Sequence, residues 1–312
     1  MKDLFWVYIK GMAMGAVDVV PGFSGGTVAL ITGIYHRLLA AFACIPQGLA
    51  MLLKGRIGDA WRHCDATFMA VLIVGILTSV FTLAKAISYL MTAHPVPLWA
   101  FFFGLVLVSV YLVGREVDTW RPGCWIAAIL GLGLALFITL AAPLQLEADA
   151  LTLFCAGAIA ISAMLLPGIS GSFILVLLGL YPIVLGAVKN LDLPILVVFS
   201  AGCLAGLLVF SKLLTWLLAH LKNLTMAFLS GLMLGSLAKV WPWKHTLTWQ
   251  TNRHGESFPL HQENLWPSQF VEVTGQAHQL PLALGMAIGA AVLVLLLEWL
   301  ARRKGAEQDL VR

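Results

Sequence analysis

Ten apolar blocks, at residues 4–20, 28–45, 67–92, 98–114, 123–141, 151–166, 173–189, 195–219, 225–241 and 280–301, occupy most of the 312-residue chain. Most approach the roughly 20 residues that carry a helix across the hydrocarbon core of a bilayer. Lipid offers no partner to backbone N–H and C=O groups, so only helices or closed barrels can span it. Barrel strands alternate apolar and polar residues in units of about ten, and these blocks do not. Charged residues make up 11% and hydrophobic residues 60% of the chain, against a charged share of about 25% in soluble domains. The chain is therefore read as an all-α polytopic membrane protein. Its N-terminal MKDLFWVYIKGMAMG lacks an apolar core ending in a small-residue cleavage site and is expected to stay in the mature chain.

Two helical courses are interrupted, by VVPGFSGGT at 19–27 and by LLPGISGSF at 165–173. Proline has no N–H to continue the ladder, and glycine adopts angles closed to other residues, so the helix stops at each. The interruptions also mark a repeat. A shift of 146 positions lays Gly11 on Gly157, Pro21 on Pro167, Gly22 on Gly168, Ser24 on Ser170, Gly25 on Gly171, Gly33 on Gly179 and Tyr35 on Tyr181. A shift of 127 lays AFFFGLVLVS (100–109) on AFLSGLMLGS (227–236). The first repeat is residues 1–141, with a hairpin at 4–45 and spans at 67–92, 98–114 and 123–141. The second is 151–301, with a hairpin at 151–189 and spans at 195–219, 225–241 and 280–301. Three crossings per copy if the hairpin dips and returns, or five if each arm spans, are both odd. The second copy is then upside down. The expected architecture is two inverted-topology repeats, each a re-entrant helical hairpin plus three transmembrane helices, as in many secondary transporters.

Charge places the sides. Lys54, Arg56, Arg62, Arg115, Arg121, Lys222, Arg302, Arg303 and Lys304 fall in loops of one side, which is read as cytoplasmic, with both termini there. The other side carries His94, Glu147, Asp149, Lys189, Asp192 and the long 242–279 loop, whose Trp241, Trp243, Trp249 and Trp266 are expected to rest at the interface as an aromatic belt. The net charge of +4 is too small to suggest nucleic acid. The five cysteines have no metal-ligand spacing and read as packing residues.

Non-helical backbone at membrane depth survives only where it is buried in protein or lines a wet cavity. Past each break a new helix begins, exposing the first-turn N–H groups of Ser24, Gly25, Gly26 and Thr27 in one copy and of Ser170, Gly171, Ser172 and Phe173 in the other. Such N-termini, with glycines that admit close approach and serines that add hydroxyls, suit a phosphate or carboxylate. The competing reading is a pair of Pro-Gly kinks with small residues for tight packing. Asp18 sits near the negative end of the first arm and wants a cation: a proton or sodium ion for coupling, or Arg37; otherwise it caps nearby backbone donors. The aligned residues in the second copy are Met164 and Ile183. Lys10, in the middle of the first arm, is a candidate to face the cavity, while Lys85, Lys212, Lys239 and Glu298 lie near segment ends and are read as snorkelling.

GMAMGAVDVVPGFSGGTVALITGIYHRLL (11–39) together with LLPGISGSFILVLLGLYPIVL (165–185) resembles the PopT-type polyprenyl-phosphate transporter family. The resemblance implies a bacterial inner-membrane protein that returns undecaprenyl phosphate from the outer to the inner leaflet. By it, the substrate-binding residues are Pro21, Gly22, Ser24, Gly25, Gly26, Thr27, Pro167, Gly168, Ser170, Gly171 and Ser172, with Asp18 and Arg37 as adjoining charges. A small-anion carrier is an alternative, but so few polar residues lie inside the segments that a lipid, whose chain stays in hydrocarbon, fits more easily. The breaks also look like the PG-x-S-R-S-G loop of integral-membrane undecaprenyl pyrophosphate phosphatases. There an arginine clamps the phosphoryl group; here Gly25 and Gly171 stand at that position and the first arm has no glutamate, so an enzyme is not expected. No cofactor is expected beyond the coupling ion.

Overall fold

The computed structural model describes residues 2–18, 24–141, 144–251 and 257–309. The chain is mostly helical. The first copy runs α1 (Lys2–Asp18), α2 (Gly25–Ile31), α3 (Tyr35–Ala43), α4 (Ile45–Leu53), α5 (Ile57–His63), α6 (Ala66–Ala93), α7 (Pro95–Gly114) and α8 (Pro122–Leu140). The second runs α9 (Ala150–Leu165), α10 (Gly171–Leu177), α11 (Tyr181–Asn190), α12 (Leu193–His220) and α13 (Lys222–Ser236), then β1 (Lys244–Thr251), β2 (Ser257–Asn264), α14 (Pro267–Thr274) and α15 (Leu280–Asp309). Prolines open α7, α8, α11 and α12 at the first turn, where their missing N–H costs nothing.

Among the described residues α6, α7, α8 and α12 are each long and apolar enough to cross a membrane. The pairs α2–α3 and α10–α11 are bent by 119° and 113° at breaks of a few residues, the same device in both copies. With α13 and α15 also apolar, this is a polytopic membrane protein. α13 has 15 residues, ending at Ser236 rather than continuing to 241, because the chain turns through 237–240.

The apolar residues that face no protein lie where lipid would meet them: Ile126, Ile129, Leu130, Leu134 and Phe137 on α8 are exposed. The interior is centred on α13 and α7, with Ala227, Leu229, Leu232, Met233 and Val106 buried. Partners are exchanged crosswise between the copies, α8 packing on α13 and α7 on α15, while α7 and α13 also touch. Small residues set these seams. A Cβ on Gly231 would meet the Ala128 carbonyl, and one on Gly104 that of Ala287. Such close backbone approach is how apolar helices associate in lipid, where no hydrophobic force drives them together.

Helix directions follow from the same contacts. Phe154 meets Gly202 and Ala158 meets Gly206, so α9 and α12 run parallel; Leu72 meets Gly11 and Ile76 meets Gly15, so α1 and α6 do too. In each copy, then, the chain returns to its starting side between the first arm and the first long helix. α7 and α13 run antiparallel, since Ser230 Oγ donates to Val110 O (3.2 Å) while Asn223 Oδ1 accepts from the Asp118 N–H (3.2 Å).

The described residues of the 242–279 segment are folded. β1 and β2 form an antiparallel ribbon, and Trp243, Leu265 and Phe270 pack with Val96, Ala100 and Ala283 at the starts of α7 and α15. Trp243, expected at an interface, is instead buried, its indole donating to His278 O at 2.8 Å; Trp241 donates to Leu265 O at 2.8 Å, Trp266 is exposed, and the side chain of Trp249 lies outside the described residues. The cysteine expectation is corrected as well: Cys44 and Cys64 are bridged, with Cα atoms 5.4 Å apart, tying α4 to the end of α5. Cys124, Cys155 and Cys203 are free.

Candidate functional site

The second break begins where α9 ends. Pro167 cannot extend the helix, and Gly168 turns the chain at φ +87°, in the region glycine alone enters without strain; a Cβ there would also lie 2.8 Å from Ser236 Oγ. The matching Pro21 and Gly22 lie outside the described residues.

The two breaks are in contact. Ser24 Oγ donates to Met164 O at 3.0 Å, the Tyr35 hydroxyl donates to Leu165 O at 2.8 Å, and the Gly168 N–H donates to Thr27 Oγ1 at 2.9 Å. The last carbonyls of α9 have no partner within their own helix, and the first hairpin supplies hydroxyls to them. Ser24, Thr27 and Tyr35 are all buried, so each of these bonds is made away from water.

The first turn of α2 is not bare, as the sequence suggested. Ser24 caps it, its hydroxyl oxygen accepting from the Gly26 N–H at 3.1 Å, and the Gly25 N–H donates to Asp18 Oδ1 at 2.6 Å. The Asp18 carboxylate therefore stands at the positive end of α2, in the place foreseen for an external anion. A Cβ at residue 25 would lie 2.7 Å from Asp18 Oδ2, so a larger residue there would push the carboxylate aside. Of the readings of Asp18, backbone capping is the one seen. The Asp18–Arg37 pair does not form: Arg37 Nε binds Asp65 Oδ2 at 2.5 Å in a half-exposed bridge, and its guanidinium lies 4.3 Å over the Phe68 ring. Lys10 Nζ donates to Thr32 O at 2.6 Å, at the other end of α2. α1 thus brackets α2 with an anion at its positive end and a cation at its negative end, the arrangement the helix dipole favours.

The second copy has no such bracket, because Ala156 and Met164 stand where Lys10 and Asp18 do in the first. Ser170 does not cap α10; its hydroxyl pairs with that of Ser172 at 2.8 Å. Gly171 packs so closely that a Cβ would lie 2.6 Å from Ala160 O. A narrow recess bounded by Gly168, Ser170, Phe173, Thr139 and Lys239 adjoins a cavity of about 540 Å³ between the end of α8, α10, the turn after α13 and the ribbon.

Two lysines face this cavity: Lys239, read from the sequence as snorkelling, and Lys244, to which the sequence reading gave no role in a site. Lys239 Nζ lies 3.9 Å from the centre of the Phe173 ring, Lys244 Nζ lies 3.8 Å from that of Trp99, and the Lys244 ammonium donates to Lys239 O. Burial, and then the charge of Lys239, hold the Lys244 ammonium well below the ordinary lysine range. Among the described residues neither lysine takes part in an ion pair. No local pattern signals them; they meet because the ribbon folds back over α8 and α10.

Residues 14–258 match the VCA0040-like family, described as undecaprenyl phosphate translocase-like. A polyprenyl-phosphate transporter of Vibrio cholerae is 49% identical over 297 residues, covering 95% of this chain and 96% of the relative. A polyprenyl-phosphate transporter of Staphylococcus aureus is 35% identical over 261 residues, covering 78% of this chain and 88% of the relative. Both are named as transporters, not enzymes. No solved structure matches the chain.

Proposed function

The chain belongs to the VCA0040-like, undecaprenyl phosphate translocase-like family, and from that premise we propose that it carries undecaprenyl phosphate from the outer to the inner leaflet of the bacterial inner membrane, for reuse of the lipid carrier. One phosphate site at the junction of the two breaks is exposed alternately to each side, while the polyprenyl chain slides through a lateral gap. The repeats are inverted, with six crossings, two re-entrant hairpins and both termini cytoplasmic. The antiparallel run of the equivalent helices α7 and α13 supports the inversion.

The observation that carries this reading is the clasp between the breaks. Two polar turns far apart in sequence meet through Ser24, Thr27 and Tyr35 inside an otherwise apolar bundle. Polar backbone at that depth is costly unless satisfied, which makes such a junction the natural place for a polar guest. Ser24 to Thr27 and Pro167 to Ser172 form its walls, and Pro21 and Gly22, also read as substrate-binding, lie outside the described residues. At α2 the phosphate replaces the Asp18 carboxylate on the Gly25 N–H. A proton taken up by Asp18 as it leaves neutralises the displaced carboxylate and couples transport to the proton gradient. Arg37, held by Asp65 at the surface, meets the phosphate on its way out to the cytoplasmic leaflet.

The test is reconstitution into liposomes with polyprenyl phosphate and polyprenyl pyrophosphate. Leaflet transfer without release of phosphate supports the reading. Released phosphate would indicate a phosphatase, and flux of a small soluble anion without lipid movement a solute carrier.

A further inference from the structure

We propose that the cavity under the β-ribbon is a second phosphate-monoester site, in which the ammonium groups of Lys239 and Lys244 receive the head group of the lipid before it reaches the breaks. The inference rests on the transport reading above and adds a site to it, on the face that carries the ribbon.

Three features of the cavity select the ligand. Its two lysines sit on aromatic faces, Lys239 on Phe173 and Lys244 on Trp99, and among the described residues no carboxylate pairs with either. Glu263 lines the cavity too but is exposed at its rim, and Gln262 and Asn264 add neutral polar groups. Both side chains are partly buried, and like charges brought together there are unfavourable alone and are offset by a compact dianion. The remaining walls, Leu140, Val176, Leu177 and Leu247, are apolar, and Leu140 continues the lipid-facing surface of α8. A head group among the lysines can therefore keep its chain on hydrocarbon, which a free phosphate ion does not require.

The cavity also shares walls with the recess beside the second break. Lys239 and Phe173 belong to both the large cavity and the recess that reaches Gly168 and Ser170. The recess holds about 10 Å³, so it must widen before the phosphate can pass from Lys244 by way of Lys239 toward the breaks.

The experiment measures binding of polyprenyl phosphate to the full-length protein in nanodiscs, for wild type, Lys239→Met with Lys244→Met, and Lys239→Arg with Lys244→Arg. Charge-assisted hydrogen bonds are the strong ones, so the methionine pair is expected to raise Kd by about tenfold or more, with the arginine pair close to wild type. Thermal melting checks that both variants are folded, and the arginine pair keeps the comparison valid if the methionine pair is not. Unchanged Kd in the methionine pair overturns the site. Inorganic phosphate that displaces the lipid at equal concentration overturns the lipid assignment; failure to displace it supports it. Leaflet transfer separates the two readings. A wild type that transfers lipid, with a methionine pair that transfers it equally fast, sinks this inference alone, whereas a wild type that moves no lipid sinks the proposed function.

Discussion

The clasp between the breaks can be weakened by one atom. In Tyr35→Phe the buried ring stays and only the hydroxyl that donates to Leu165 O at 2.8 Å is lost. Leu165 is the last residue of α9, so its carbonyl has no helical donor to fall back on. Leaving a buried acceptor unsatisfied costs about 1–3 kcal/mol. If the hairpins part during transport, the clasped arrangement loses that much relative to the parted one, whose population rises roughly 5- to 150-fold. Amide hydrogen exchange in nanodiscs reads this directly. Exchange across residues 163–170 is expected to accelerate by that factor, while the α8–α13 seam at 128–135 and 228–236 stays protected. Thr27→Val, which removes the acceptor of the Gly168 N–H, should open the same segment, and the two together should depart from additivity, because neighbouring bonds in one junction couple. Unchanged exchange at 163–170 in Tyr35→Phe, or equal acceleration everywhere, would refute the idea that this bond holds the two repeats together.

Asp18→Asn keeps an acceptor for the Gly25 N–H but makes the bond neutral, for a stability loss of about 1 kcal/mol; transport is expected to lose its pH dependence, and an unaltered pH profile would remove Asp18 from coupling. Arg37→Gln breaks a half-exposed bridge to Asp65 and should change stability by less than about 1 kcal/mol; a large fall in transport with an unchanged melting point would assign Arg37 to the substrate, and unimpaired transport would exclude it. Gly231→Val drives a side chain into the Ala128 carbonyl and should cost about 1–3 kcal/mol or more through overpacking, seen as a lower melting midpoint; a wild-type midpoint would show that the α8–α13 seam can widen. With the α3–α5 region cytoplasmic, a membrane-impermeant maleimide, applied after a membrane-impermeant reductant has opened the Cys44–Cys64 bridge, should label both cysteines in inside-out vesicles but not in intact spheroplasts. The opposite pattern would invert the proposed topology.

The sequence by itself determined the class of solution. Apolar blocks of membrane length admit only helices, Pro-Gly pairs stop those helices at two places, and the 146-residue repeat relates the two. These are local constraints, set by backbone hydrogen bonding and by what lipid cannot supply. The state of each break was decided by tertiary structure, because Asp18 faces a helix other than its own and Ser24, Thr27 and Tyr35 find their partners more than 100 residues away. For the same reason Arg37 turned to Asp65, a contact no spacing announces. The lysines at 239 and 244 were illegible for a different reason: Lys239, near a segment end, reads as snorkelling and Lys244 as a loop charge until the folded ribbon brings them to one cavity beside Phe173 and Trp99.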